Sequence, residues 1–280
     1  MKISKILTAY ATQDGDGVSI SRIPGFDGKY LDPFLMIDEL KSDDKKDYMG
    51  GFPEHPHRGI ETFTYILKGG FEHRDQMGNK EAIKAGDVQW MSTGRGVMHS
   101  EMPLADAIDG LHGFQIWIIM PSAEKMRDSR YQDTTKNPAP SFTNTQGVTL
   151  KALAGSWQFE SETLASELQS LAANAALADI TLPAGKSTYL EPLSQQKVML
   201  YIHSGSLITN DNQIIPAGKL LILEPGSDIN ISSEQGAGVL VSAGDPLNQP
   251  IAHMGPFVMT TQAEVQQAVR DYQNGEFGKI

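Results

Sequence analysis

The side chains best suited to chemistry sit in two short strings: EHPHRGIE carries His55 and His57, and GRGVMHSEMP carries His99 and Glu101. Each pair is separated by one residue, and in an extended strand alternate side chains share a face, so both members of a pair can converge on one point. Two such pairs facing each other across a barrel offer three imidazole nitrogens and one carboxylate oxygen. On an octahedral metal that set leaves open positions for water, substrate or dioxygen, which is a catalytic arrangement. One His-x-His pair alone is weak, because histidines often hydrogen-bond in turns and Pro56 and Gly59 point to a turn nearby. The second pair, in the same half of the chain, gives the metal reading its weight.

The elements that must hold these pairs are strands. Between about Tyr30 and Pro121 the chain is a series of short apolar runs broken by glycine-containing turns, such as IETFTYILKGG, KEAIKAGDVQWMSTG and LHGFQIWIIMP. No amphipathic helix of useful length fits between the breaks, so an all-β barrel or sandwich is expected. A stretch rich in charge, proline and hydroxyls, PSAEKMRDSRYQDTTKNPAPSFTNTQ, then suits a connection over the surface. A second β-rich region follows from about Val148. Within it SETLASELQSLAANAAL fits either a helix or a strand followed by a loop.

The two halves repeat one plan. TYILKGG, NKEAIKAGDVQWM and GFQIWIIMP in the first are echoed, in the same order, by LYIHSGS, NQIIPAGKLLIL and AGVLVSAGDP in the second. A duplicated β-domain follows, with residues 1–133 as a metal-binding N-terminal barrel and 134–280 as a C-terminal barrel. Alignment on Tyr201 puts Glu191 and Leu193 where the first barrel has its histidine pair, and Ile231 and Ser233 opposite the second pair, so the second barrel is expected to be metal-free. The tail, MTTQAEVQQAVRDYQNGEFGKI, predicts a helix with Thr261 as N-cap, a stripe of Val265, Ala268, Val269 and Tyr272, and a stop at Asn274-Gly275. Such a stripe packs on a barrel wall as a brace.

Composition narrows the chemistry. At 280 residues, two medium domains are expected. The chain has no cysteine, which excludes disulfides, thiolate ligands and iron–sulfur clusters and leaves nitrogen and oxygen to bind any metal. Lysine and arginine number 23 against 34 acids, a net charge of -11, and no basic run offsets it locally. Direct binding to nucleic acid or an anionic membrane is therefore not expected. The opening MKISKILTAYATQDGDG has too short an apolar stretch for a secretory signal and reads as a first strand. No apolar run approaches the roughly 20 residues of a membrane span, so a cytoplasmic monomer is the default.

The strings EHPHRGIETFTYILKGGFEHRDQMGN, AGDVQWMSTGRGVMHSEMP and GPFVMTTQAEVQQAVRDYQNGEFG resemble the pirin family of the cupin superfamily. The match covers most of the first half and the C-terminus; from about Thr134 to Pro250 it extends only to the general barrel pattern. The resemblance implies a bicupin, two tandem double-stranded β-helix (jelly-roll) barrels with a C-terminal helix. It also implies one iron(II) in the N-terminal barrel, held by His55, His57, His99 and Glu101, although histidine and carboxylate donors also accept Zn, Mn, Ni, Co or Cu. The wider cupin pattern places a glutamate ligand four residues after the second histidine, where Glu61 stands and where regular strand parity would point it inward. In pirins the carboxylate belongs to the second motif, so Glu101 goes to the metal and Glu61 to a supporting or wall role.

Quercetin 2,3-dioxygenase activity is known in the family, and the resemblance implies a small aromatic substrate and dioxygen as partners. Glu101 would act as the catalytic base, taking the proton of the flavonol 3-hydroxyl before the ring is cleaved with loss of carbon monoxide. Phe52, Phe63, Trp90 and Phe114 would form an apolar pocket around the flat substrate. Other members act as regulators through protein partners, which makes a non-enzymatic redox-sensing regulator the rival, and an isomerase-like or storage cupin with zinc a third reading. His73 is expected near a turn bordering the pocket, and His112, His203 and His253 have no ligand partner at useful spacing. Arg58 fits an anion at the site mouth or, more ordinarily, a surface ion pair. Thr93 to Gly96 read as a turn that places His99 rather than a phosphate loop, since no helix follows.

Overall fold

The computed structural model describes residues 1–107, 109–209 and 212–280. Contacts divide the chain into two compact units. Tyr10–Pro138 joins Leu247–Ile280 in one, and Met1–Ala9 joins Ala139–Pro246 in the other. The division differs from the expected cut between residues 133 and 134, because the two chain ends change sides.

Each unit shows why. In the first, a sheet runs in the order Arg130–Asp133, Val88–Ser92, Ile60–Lys68, Leu111–Ile119, Phe34–Ser42, Val18–Pro24, Tyr10–Asp14. In the second, the order is Ile3–Thr8, Lys219–Leu223, Lys197–Ile208, Ala237–Gly244, Ala176–Leu182, Thr149–Ala154, Ser141–Thr143. The repeated strings fall on equivalent places in the two series. The outermost place in the first is filled by the strand that follows the barrel, and in the second by the strand that opens the chain. Ile3–Thr8 has the alternately half-buried and exposed pattern of an edge strand, with Ile3 opposite Leu223 and Leu7 opposite Leu220.

In the first unit a four-stranded sheet, ordered Phe52–His57, Val97–Pro103, Gly70–Asp75, Lys80–Lys84, completes the barrel. In the second unit the matching pair is Lys186–Leu190 against Ile229–Ser233, with Thr188 opposite Ile231 and Leu190 opposite Ile229. Glu191 and Leu193, aligned with the histidine pair by sequence, lie beyond that strand, and Glu191 is exposed. The interior there is a continuous apolar core that includes Leu190, Ile229, Ile231, Leu200 and Val239.

The ambiguous 161–177 segment resolves as the strand Glu162–Ala165, a short 3-10 turn Ala172–Asn174 and the start of Ala176–Leu182. The tail helix runs Gln262–Gln273, with Thr261 and Glu264 forming a reciprocal capping box and Asn274 as C-cap. It buries Val265 and Ala268 as expected, and also Asp271. No helix among the described residues is long and apolar enough to cross a membrane.

Candidate metal centre

His55 and His57 lie on Phe52–His57, the edge of the four-stranded sheet, and His99 and Glu101 on the neighbouring strand. The strands pair antiparallel with Val97 opposite His57 and His99 opposite His55; a register irregularity follows, and Glu101 comes to stand opposite Phe52. His55 Nδ1 donates to the Pro53 carbonyl at 2.8 Å, which leaves the lone pair on Nε2. That Nε2 is 3.0 Å from Nε2 of His57. The rings of His55 and His99 are 4.3 Å apart and those of His57 and His99 4.9 Å apart.

His57 and His99 are almost wholly buried. Burial, reinforced by the neighbouring imidazoles, pushes both well below the ordinary histidine range, so both are neutral and present lone pairs. Neither nitrogen of His99 has a hydrogen-bond partner. The Pro256 backbone acts on His57 in the opposite direction, and Nδ1 of His57 has no hydrogen-bond partner. A buried imidazole lone pair without a donor carries a free-energy cost that a cation would remove. Two donors about 2.1 Å from a metal and at right angles stand about 3.0 Å apart, as the His55 and His57 nitrogens do. The donor set fits a divalent metal.

Donor atoms gather in two overlapping groups: His55, His57 and His99 in one, and His73, His99 and Glu101 in the other, each within 4.8 Å. His99 belongs to both. Contrary to the expectation from its turn, His73 does not border the cavity but lies behind it among the donors. It is fully buried, 3.0 Å from Asp75 through Nε2, and stacked on Tyr131 at 4.8 Å. Burial acts to raise the Asp75 pKa, but hydrogen bonds from His73 and Asn79 outweigh it and hold the carboxyl below its usual range. The missed signal was strand order, since Glu101 pairs with His73 across Gly70–Asp75, a sheet neighbour that spacing does not disclose.

Glu101 is gripped by neutral groups. Oε1 lies 3.0 Å from both Thr64 Oγ1 and Gln89 Nε2, and Oε2 accepts from Gln115 Nε2 at 3.0 Å. Glu61 goes elsewhere. It is fully buried and accepts from Trp90 Nε1 at 2.9 Å and from Arg127 at 3.1 Å. Strand parity fails to carry across Gly59, which has a φ of +81° between the strand of His57 and the strand of Glu61, and the two strands belong to different sheets.

A cavity of about 590 Å³ opens on His55, His57 and Glu101. Of the aromatics expected to line it, Phe52 does, whereas Phe63, Trp90 and Phe114 lie in the core on the opposite strand face. Phe26 and Trp117 line it instead, meeting edge to face at 6.0 Å, with Trp117 also edge-on to His57 at 5.0 Å. His253 stacks on Phe26 at 4.5 Å at the same cavity, while His112 pairs with Glu39 and His203 with Asp179, both at 2.9 Å. Arg58 does not line the cavity mouth, and its ion pair is not at the surface: the side chain is buried, bound to Asp271 at 2.6 Å and stacked over Phe277. The Thr93–Gly96 turn is latched by Thr93 Oγ1 to the Ile60 carbonyl and leads directly into the strand of His99.

Fold and site together define a cupin with a metal-ready N-terminal barrel. The pirin profile matches residues 19–118 and the pirin C-terminal cupin domain residues 177–278, and the chain belongs to the pirin family. A protein of Vibrio cholerae provisionally named a quercetin 2,3-dioxygenase is 43% identical over 276 residues, covering 99% of this chain and 97% of that protein. A pirin-like protein of Caulobacter vibrioides is 36% identical over 278 residues, covering 98% of each. The crystal structure of quercetin 2,3-dioxygenase from Acinetobacter baumannii superposes with a TM-score of 0.88 at 29% identity, covering 100% of this chain and 99% of that one.

Proposed function

We propose that this pirin is a metal-dependent dioxygenase that opens a flavonol such as quercetin, with iron(II) held by His55, His57, His99 and Glu101. The observation that carries the reading is the convergence of His55, His57 and His99, with both nitrogens of the buried His99 unpartnered, beside a cavity walled by Phe26 and Trp117. The names of the Vibrio and Acinetobacter relatives support the same substrate class. When bound, the metal supplies a Lewis-acid centre with open positions for a substrate oxygen and dioxygen.

The chain's own residues do the rest. The Phe26 and Trp117 rings bury a flat ligand and exclude water. Glu101 takes the proton of the 3-hydroxyl at Oε2, the oxygen bound by Gln115 alone, while Thr64 and Gln89 fix Oε1. His55 is oriented by Pro53 so that its lone pair faces His57. The reaction these residues would serve is addition of dioxygen to the flavonol, with ring opening and release of carbon monoxide. A cavity this size beside the donors favours catalysis over a purely regulatory role.

The test is metal analysis of anaerobically purified protein, followed by oxygen uptake and carbon monoxide release with quercetin, wild type against Glu101→Gln. Turnover that requires iron and drops at least about 100-fold in the variant is expected, the size typical of losing a general base. Equal background rates in both proteins would sink the reading.

A further inference from the structure

An in-register polar row crosses the sheet and lines the cavity at Arg22, Asp38 and Gln115 before continuing into the buried Thr64 and Gln89. Arg22 is opposite Asp38, Asp38 opposite Gln115, Gln115 opposite Thr64, and Thr64 opposite Gln89. Gln115, Thr64 and Gln89 end on Glu101, and the other end of the row is an ion pair. Apolar rows flank it on both sides: Met36 opposite Trp117, and Ile20 opposite Leu40. Neighbouring strands lie about 4.8 Å apart, so the two steps from Arg22 to Gln115 span about 10 Å and the three to Thr64 about 14 Å.

Arg22 and Asp38 both line the cavity. Arg22 Nε and Nη2 bind the Asp38 carboxylate as a fork at 2.8 and 2.6 Å, and Nη2 also reaches Asp14 at 2.6 Å. Nη1 has no protein partner among the described residues, on a side chain that is 20% exposed. A half-buried fork of this kind presents a donor, Nη1, beside acceptors, the remaining lone pairs of Asp38 and Asp14. A phenolic hydroxyl, which donates and accepts, matches it. Between the ends, Trp117 Nε1 is a further buried N–H without a partner.

Resting on the flavonol reading, we propose that the Arg22–Asp38 pair recognises a hydroxyl-bearing ring at the substrate end remote from Glu101, and so selects neutral polyphenols long enough to bridge the two. Charge in the cavity argues the same way. Among the described residues Arg22 is the sole lysine or arginine on a wall that carries Asp14, Asp38, Glu54 and Glu101, and a bound divalent metal still leaves that wall net negative, so an anionic substrate is disfavoured. A ligand shorter than the row reaches one end only, and a longer apolar one leaves the ion pair desolvated without a partner.

The experiment is anaerobic calorimetric titration of the metal-loaded chain with quercetin and with the flavonol that lacks both distal-ring hydroxyls. Wild type is expected to prefer quercetin by about tenfold or more, the worth of a hydrogen bond to a charged group. Arg22→Met is expected to bind both flavonols alike, at the affinity of the deoxy compound for wild type, with its metal content unchanged. Because that variant strands Asp38, the neutral double variant Arg22→Met/Asp38→Asn is measured beside it and should behave the same. A preference retained in the folded variants, or missing from a wild type that binds both ligands, overturns the proposal and leaves the flavonol reading standing. Binding of neither ligand to wild type overturns both.

Discussion

His55 Nε2 lies 3.0 Å from His57 Nε2, while the other nitrogen of His55 is committed as a donor to Pro53. A lone pair so fixed beside a second buried imidazole is a preformed half of a metal site. Ferrous iron added anaerobically is therefore expected to raise the melting temperature by about 5 °C or more, as a ligand well above its Kd does. His57→Ala should abolish the shift and reduce metal from one per chain towards none. Equal metal content in the two proteins would show that this pair does not form the site.

The grip of Gln115 on Glu101 leads to a second prediction. Gln115→Leu removes the donor at Oε2 and leaves the three histidines untouched. The metal content should stay at wild-type level while kcat with quercetin falls about tenfold, within the range for losing a residue that orients a metal-site group. Inductively coupled plasma analysis alongside oxygen uptake separates the two quantities. A parallel loss of metal would make Gln115 a determinant of binding instead.

Much of this site was legible in the sequence, and the part that was not has a physical cause. One-residue spacing is preserved along any regular strand, so His55 with His57, and His99 with Glu101, could be paired before any fold was known. Parity does not survive a turn, so Glu61 does not take the inward face that regular alternation gives it and binds Arg127 in a supporting role. Sheet neighbours are set by topology, so the place of His73 beside Glu101 and the substitution of Phe26 and Trp117 for Phe63, Trp90 and Phe114 required the strand order. The same limit hid the exchange of chain ends. The helix cap at Thr261 was readable because its signal is wholly local.

Arg58 joins the strand after His57 to the tail helix through Asp271, and the guanidinium also stacks on Phe277. Arg58→Met removes the ion-pair partner of Asp271, whose side chain is only 10% exposed, and leaves Gln267 as its remaining side-chain donor. Urea denaturation should show a loss of about 3 kcal/mol at neutral pH. The hydrogen bond from Arg58 holds the Asp271 carboxyl below its usual value of 3.8. A depressed acid contributes stability that is present above the unfolded-state value and disappears as pH falls through the folded one. The gap between wild type and variant should therefore narrow below about pH 4; a gap independent of acid would assign the effect to the Phe277 stack and the bond to the Arg95 carbonyl.

Lys125 offers the opposite sign on the alkaline side. Its ammonium is 2% exposed and donates to the carbonyls of Gly59 and Val258, both at 2.8 Å, tying the turn after His57 to the C-terminal hairpin. Burial lowers its pKa from 10.5 to about 8, with Glu264 opposing weakly. In the unfolded chain the lysine regains the ordinary value, so between about pH 8 and 10.5 the unfolded state holds a proton that the folded state has released. Folding stability must then rise with pH across that window, by up to about 3 kcal/mol from this group. Lys125→Met removes the titration. The stability of wild type relative to the variant is expected to be constant from pH 6 to about 7.5 and to climb steadily above about 8. Parallel denaturation curves across the whole range would show that the ammonium keeps its proton and that the two carbonyls stabilise the charge more than burial penalises it.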